Sequence, residues 1–242
     1  MLKEVEGIII SETNYRETSK IINILTKDGI IGCIAKGAKS LKSPLRSFTM
    51  SLTYGKFYIY YKENGPSILK NVDVINDLNT IKRDIILTSY MSFLCDLTSQ
   101  VIKQNTDERI FNLLINGLIK INNKFDPMII TNILELKYLD YLGVGINFEC
   151  CAKCGSTHNI VTIDPDIGGY ICKDCYLNEI IYDEKTLKML RMYYLVDINS
   201  ISDIKISEKV INNINYFINK YYDRYTGLYL KSKVFLEELL KN

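Results

Sequence analysis

The stretch CAKCGSTHNIVTIDPDIGGYICKDC, residues 151–175, reads C-x2-C, seventeen intervening residues, C-x2-C. A C-x-x-C knuckle turns two thiolates toward one point, and two knuckles joined by a short loop supply four. Four soft sulfur ligands at about 2.3 Å make a closed tetrahedral zinc site. The expected ligands are Cys151, Cys154, Cys172 and Cys175. Gly155 stands where the first knuckle must turn tightly, and Gly168 and Gly169 precede the second, as a β-turn between two short strands requires. The competing reading is two unrelated pairs of buried or redox-active cysteines, but redox C-x-x-C motifs usually come singly, after a strand in a βαβ context. Sulfur fills all four positions, so none stays open for water or substrate, and the expected cofactor is one structural zinc ion. His158, four residues after Cys154, reads as a solvated loop residue. Cys150 is an adjacent fifth thiol, and its substitution for Cys151 by a one-residue slip stays open. Cys33 and Cys95 sit in apolar runs and read as core. Asp164-Pro165-Asp166 reads as a turn rather than a carboxylate metal site.

On both sides of this segment the sequence is helical in pattern. Asn79 or Thr80 is the expected cap of a helix running to about residue 103. Thr106 or Asp107 starts a second (107–122), and Asp126-Pro127 starts a third that Gly143 ends. Further helices are expected near 183–195, 207–222 and 228–240. The first 78 residues differ. Short β-branched runs at 4–10, 20–26 and 29–36, the alternating GKFYIYYK at 55–62 and a strand near 67–75 fit a small closed barrel or sandwich. The expected architecture is α+β and multidomain: a barrel over 1–78, then a helical domain over 79–242 interrupted by the zinc segment, about 148–180.

At 242 residues, 47% of them hydrophobic and 24% charged, the chain has the composition of a globular protein of two or three modules. Its longest apolar run falls short of a membrane span, and MLKEVEG begins with charges and enters a strand rather than a signal peptide. Reduced cysteines at metal spacing then point to the cytoplasm. A net charge of +2 does not by itself imply nucleic acid. The segment 149–180 carries 2 basic against 5 acidic residues, which disfavours a zinc ribbon that grips phosphates.

The basic cluster lies in the barrel region, in AKGAKSLKSPLRSF. Lys36, Lys39, Lys42 and Arg46 fall within eleven residues with no acid among them, in a segment that Gly37, Ser40, Ser43 and Pro44 make a loop. If Phe57, Ile59 and Tyr61 point inward, Tyr58 and Tyr60 point outward. Cations that track a phosphate backbone beside rings on which bases stack are what a single-strand binder needs. The plainer reading is a solvated loop on an ordinary barrel, since charge runs usually face water.

The chain resembles the RecO family of bacterial recombination mediators. The matching stretches are NYRETSKIINILT at 14–26, IAKGAKSLKSPLRSF at 34–48, LTYGKF at 52–57, LELKYLDYLGVGINFECCAKCG at 134–155 and GGYICKDC at 168–175. Their order, with the barrel–helix–knuckle arrangement, is the specific part of the likeness. The resemblance implies an N-terminal OB-fold, a helical C-terminal domain with a zinc site, and a DNA repair and recombination role without catalysis. Such a protein binds single- and double-stranded DNA and anneals complementary strands. It assists RecA loading onto DNA coated by single-strand-binding protein, acting with RecR and in some pathways RecF. Lys36, Lys39, Lys42 and Arg46 match the family's basic DNA-contacting segment. Arg16 and Lys20 flank it with less weight, because Glu12 and Glu17 neutralise them locally. The resemblance also implies a nucleoid-associated cytoplasmic protein and a docking site for the acidic C-terminal tail of single-strand-binding protein. Lys185, Lys188 and Arg191, or Lys231 and Lys233, could serve that tail, and the sequence does not choose between them.

A catalytic set is not apparent. There is one histidine, no G-x-x-x-x-G-K-[ST] loop and no nuclease-type carboxylate cluster. The expectation is no enzyme, no small-molecule substrate and no membrane. The alternative kept open is a zinc-ribbon protein-interaction module, of transcription- or translation-factor type, whose barrel does not meet DNA.

Overall fold

The computed structural model describes residues 1–202 and 204–241; Asp203 and Asn242, which the expected region 79–242 includes, lie outside the described residues. The isoleucine-rich N-terminal region forms five strands, as β-branched side chains favour. They are β1 (Leu2–Tyr15), β2 (Ser19–Thr26), β3 (Gly29–Ala35), β4 (Tyr54–Tyr60) and β5 (Ser67–Asn76). These close into a barrel in the order β1-β2-β3-β5-β4, the expected OB-fold arrangement. The ladders are antiparallel except for a short parallel contact, Cys33 opposite Ser67 and Ile34 opposite Ile68.

Closure requires β1 to serve two neighbours. Its first half, Leu2 to Ile8, pairs with β4, and its second half, Ile8 to Tyr15, pairs with β2, with an irregularity between Ile9 and Ser11 where the strand bends. Gly7 lies opposite Gly55 in the β1–β4 ladder. A Cβ on Gly7 would stand 2.5 Å from Ile24 Cγ2, and one on Gly55 would stand 2.5 Å from the Asp73 carbonyl oxygen. Only a hydrogen lets the strands approach so closely at this corner. Ile9, Ile22, Ile24, Phe57, Ile59 and Leu69 fill the interior.

The single helix expected from 79 to about 103 is two: α2 (Asn79–Lys82) and α3 (Ile85–Gln104), following the one-turn α1 (Leu45–Phe48) in the β3–β4 loop. Asp84 has extended backbone, and its carboxylate accepts hydrogen bonds from the N–H groups of Ile86 and Leu87 at 2.8 and 3.1 Å. It caps a new helix inside an apolar pattern that runs on through the break, which is why periodicity alone joined the pieces. Neither Asn79 nor Thr80 caps α3. Helix α4 (Glu108–Asn122) starts at Asp107, whose carboxylate accepts from the Arg109 N–H at 2.9 Å. Helix α3, 20 residues with a mean hydropathy of 1.3, is long and apolar enough to cross a membrane by those two measures, but most of it is buried within the protein, and it packs on α4.

Residues 1–123 with 232–242 form one compact unit, and 124–231 form another. In the first, α8 (Lys231–Lys241) returns to α3: Ser232 Oγ donates to Asp96 Oδ2 at 2.8 Å, and Lys233 Nζ stands 5.3 Å from the Phe93 ring centre. The second begins with α5 (Pro127–Tyr141). Asp126 accepts from the N–H groups of Met128 and Ile129 at 2.9 and 3.0 Å, with Pro127 at the first helical position. Gly143 (φ 74°) ends α5 in a Schellman closure, Val144 N–H to Leu139 O at 2.9 Å and Gly143 N–H to Asp140 O at 3.1 Å. Then come β6 (Asn147–Cys151), β7 (Ile160–Asp164) and β8 (Gly169–Cys172), paired in the order β6-β8-β7, and the helices α6 (Glu184–Leu195) and α7 (Glu208–Tyr225), both packed on α5.

Candidate metal centre and nucleic-acid interface

The two expected knuckles meet. Cys151 ends β6 and Cys172 ends β8, both buried, while Cys154 is exposed and Cys175 half-buried in the turns that follow. All four Sγ atoms lie within 4.8 Å of one another, and Cys154 Sγ is 3.6 Å from Cys172 Sγ. Thiolates about 2.3 Å from a tetrahedral ion stand roughly 3.8 Å apart, so the donor set fits one metal ion with no place left for water. Each knuckle is closed by its own backbone. Gly155 N–H donates to Cys151 O at 2.8 Å with Gly155 at φ 77°, and Tyr176 N–H donates to Cys172 O at 3.0 Å. Burial raises the Cys151 thiol, but the backbone N–H groups of Cys172, Cys154 and Lys153 outweigh it and lower that thiol to about 6, whereas the hydrogen bond with Cys154 pushes the Cys175 thiol up to about 12, as thiols crowded together share protons. Lys153 bridges the knuckles, donating to Glu179 Oε1 at 2.6 Å and to Cys175 O at 3.1 Å.

The two neighbouring donors lie outside the four-thiol group. Cys150 Sγ accepts from Asn147 Nδ2 at 3.4 Å, and the His158 ring stands beside Thr157 Oγ1 at 3.4 Å. Asp164 Oδ1 accepts from the N–H groups of Asp166 and Ile167 at 2.9 and 3.0 Å, so Asp-Pro-Asp is a turn. The hairpin is tied to α7 by tyrosines. Tyr221 Oη donates to Val144 O at 3.0 Å, and Tyr225 Oη donates to Asp166 O at 2.6 Å. Their rings lie 4.6 Å apart beside Gly168, where the chain takes a positive φ of 79°. These tyrosines were not singled out in the sequence; their i, i+4 spacing on α7 was the available signal.

At the barrel, strand register sets which residues meet. Ile34 pairs with Ile68, Ile68 with Tyr60, and Lys20 with Ala35, so the ends of β3 and β4 share one rim with the β1–β2 turn. The basic loop leaves from this rim and is held down along its length. Ala38 is fully buried, Lys39 N–H donates to Thr18 O at 2.9 Å, and successive turns close at Ser40, Ser43 and Arg46. Lys36, Lys42 and Arg46 are exposed and Lys39 half-buried. Among the described residues, none of these four has an acidic partner within ion-pair distance. Arg16, exposed in the β1–β2 turn, lies over the Tyr15 ring at 5.1 Å, whereas Lys20 is paired with Glu12. Phe57 and Ile59 are buried, and Tyr58 and Tyr60 alternate with them on the outer face. Tyr60 is exposed at the rim with Lys70 Nζ 4.6 Å from its ring centre. Tyr58 lies deeper along the strand, opposite Glu4, and donates to Asp73 Oδ2 at 2.9 Å; that carboxylate pushes its phenol up to about 12. Of the cations considered for an acidic tail, Lys188 pairs with Glu184 at 2.5 Å and Arg191 stands 3.7 Å from Glu149.

The chain matches the family model described as Recombination protein O N terminal over residues 1–78 and Recombination protein O C terminal over residues 82–234. Among curated relatives, DNA repair protein RecO of Listeria monocytogenes serotype 4b (strain CLIP80459) is 33% identical, covering 99% of this chain and 96% of that protein. DNA repair protein RecO of Bacillus cytotoxicus is 34% identical, covering 100% and 99%, and that of Bacillus velezensis is 31% identical, covering 99% and 95%. Two family models that together span nearly the whole chain, and relatives matched over almost their full length, agree: the chain belongs to the recombination protein O family.

Proposed function

We propose that this chain is a non-catalytic DNA repair and recombination mediator. It binds single- and double-stranded DNA through the cationic rim of its barrel, residues 1–78. The observation that carries this reading is the row Lys36, Lys39, Lys42 and Arg46, held on an ordered loop without acidic partners among the described residues. Such cations displace condensed counterions from a phosphate backbone, so affinity falls with salt. Arg16 widens the patch, while Lys20 contributes less because Glu12 holds it. Tyr60 supplies a stacking face at the rim, and Tyr58, hydrogen-bonded to Asp73, a weaker one. Strand annealing then needs two strands held close with their charge screened, and no acid, base or nucleophile.

On this reading the helical region 79–242 docks protein partners. They are RecR, RecF in some pathways, and the acidic tail of single-strand-binding protein, and together they assist RecA loading in the nucleoid-associated cytoplasm. One structural zinc on Cys151, Cys154, Cys172 and Cys175 holds the hairpin of about 148–180 in shape; when bound it supplies folding free energy rather than reactivity. The acidic balance of that hairpin suits a protein partner better than DNA.

The test is fluorescence anisotropy of a labelled single-stranded oligonucleotide across salt concentrations, comparing the wild-type chain with Lys36→Ala/Lys39→Ala/Lys42→Ala/Arg46→Ala. Three exposed cations and one half-buried one should reduce the magnitude of the log–log salt slope by about 2 to 3 on a single strand. An unchanged slope removes the loop from the interface. Absence of binding by folded wild-type chain at low salt moves the function to the alternative, a protein-docking module.

A further inference from the structure

Resting on the reading that the barrel rim binds single-stranded DNA, we infer that the groove between the β3–β4 loop and the β1–β2 hairpin receives one unstacked nucleobase. Leu41 and Met50 hold its faces, and Lys42 and Arg46 take the flanking phosphates. The groove has a volume of about 490 Å³ and is lined by Glu12, Lys20, Leu41, Ser43, Arg46, Ser47 and Met50. That is within the range of about 300–1,000 Å³ that small planar ligands occupy. Leu41 is 84% exposed and Met50 51% exposed, on the loop that also carries Lys39, Lys42 and Arg46, whereas Leu45 and Phe48 of the same loop pack on the barrel core. One exposed apolar side chain would be ordinary, but Leu41 and Met50 line the same groove and form an apolar patch inside a cationic rim.

The polar groups around the two apolar side chains identify the occupant. The floor carries a carboxylate and an ammonium already paired, Glu12 with Lys20, and both side chains are largely withdrawn from solvent. Acceptor and donor side by side suit the edge of a base, which presents both. The hydroxyls of Ser43 and Ser47 add groups that donate or accept. The rim is cationic, with Lys42 and Arg46 exposed. A repeating polyanion with apolar faces between its charges complements this pattern. An acidic peptide would set its carboxylates against Glu12. Apolar side chains that enter a nucleic-acid stack open one base step, and here the loop presents them already fixed by its turns, so binding orders little of the protein.

The experiment measures salt-dependent binding of two oligonucleotides of equal length, a deoxythymidine strand and an abasic deoxyribose-phosphate strand, to the full chain. The variants are Leu41→Ala, Met50→Ala, the double variant and Lys42→Ala. Leu41 and Met50 are exposed, so the substitutions leave the barrel core intact. The double variant is expected to bind the thymidine strand about five- to tenfold more weakly at every salt concentration, with a parallel slope, and the abasic strand as wild type does. Lys42→Ala should lower the slope by about 0.7 on both strands. Equal weakening on both strands, or no weakening on either, overturns the assignment of a base to this groove while leaving DNA binding itself in place. So does a double variant that loses affinity for an acidic peptide but not for the thymidine strand. Failure of the wild-type chain to bind either strand overturns the DNA-binding reading and this inference with it.

Discussion

Replacing Cys172 by serine tests the metal centre most directly. Cys172 ends β8, is 1% exposed, lies 3.6 Å from Cys154 Sγ and offers its carbonyl to the N–H groups that close the second knuckle. Structural zinc sites of this ligand type are worth about 10–16 kcal/mol near neutral pH, so one thiolate of four carries roughly 3 kcal/mol, or about a hundredfold in metal affinity. The three-stranded sheet has strands of only 5, 5 and 4 residues. Strands so short depend on what holds them from outside, here the tyrosines of α7 and the metal. Competition with a chromophoric chelator should therefore show about a hundredfold weaker zinc binding in Cys172→Ser. Hydrogen exchange should accelerate across residues 147–176 while Ile24 and Ile59 in the barrel stay protected. Cys150→Ser, outside the thiol group, should change neither. Unaltered zinc affinity together with unaltered exchange in Cys172→Ser would refute the reasoning.

Three further outcomes follow from the packing. Gly55→Ala sets a Cβ 2.5 Å from the Asp73 carbonyl oxygen, and denaturant melting of the barrel should show a loss of about 1–3 kcal/mol. Tyr221→Phe removes the hydroxyl that donates to Val144 O and leaves that half-buried carbonyl short of a partner, so thermal melting should fall by about 2–4 °C, for roughly 1 kcal/mol. Asp183→Ala removes the cap that accepts from the Thr186 N–H at 2.9 Å, at a cost of about 1 kcal/mol above pH 5. The Thr186 N–H holds the Asp183 carboxyl below its ordinary value of 3.8. The cap's contribution is therefore complete above that value and fades as pH falls below it, and wild type and variant should converge in stability on acidification.

The sequence carried the barrel and the four-thiol cluster because each rests on local chemistry. Alternating β-branched strands with turn signals, and two C-x-x-C knuckles, report their own geometry. It misread the junction at Arg83-Asp84, where an apolar helical pattern continues across a break made by one capping carboxylate. It did not show that Gly7 meets Gly55, since pairing register between strands 48 residues apart is a property of the closed barrel. The outward turn of Tyr58 and Tyr60 was legible from period two. The carboxylate neighbours that separate Tyr58 from Tyr60 were not, because Glu4 and Asp73 come from other strands. The groove beside Leu41 was hidden for a similar reason: a leucine between lysines looks like an ordinary loop residue until the hairpin carrying Glu12 and Lys20 is brought beside it.

The return of α8 to α3 has a consequence for synthesis. The first unit takes in α8, which is made only after the whole of 124–231. While the ribosome is still translating 124–231, α3 waits without the contact from Ser232 to Asp96 and with Phe93 uncovered by Lys233. The nascent chain thus carries an unfinished helical surface for more than a hundred residues of elongation, at about 5–20 residues per second. A chain that stops short of residue 232 leaves the barrel-bearing unit without the helix that packs on α3, so that unit is finished only after 124–231 has been made.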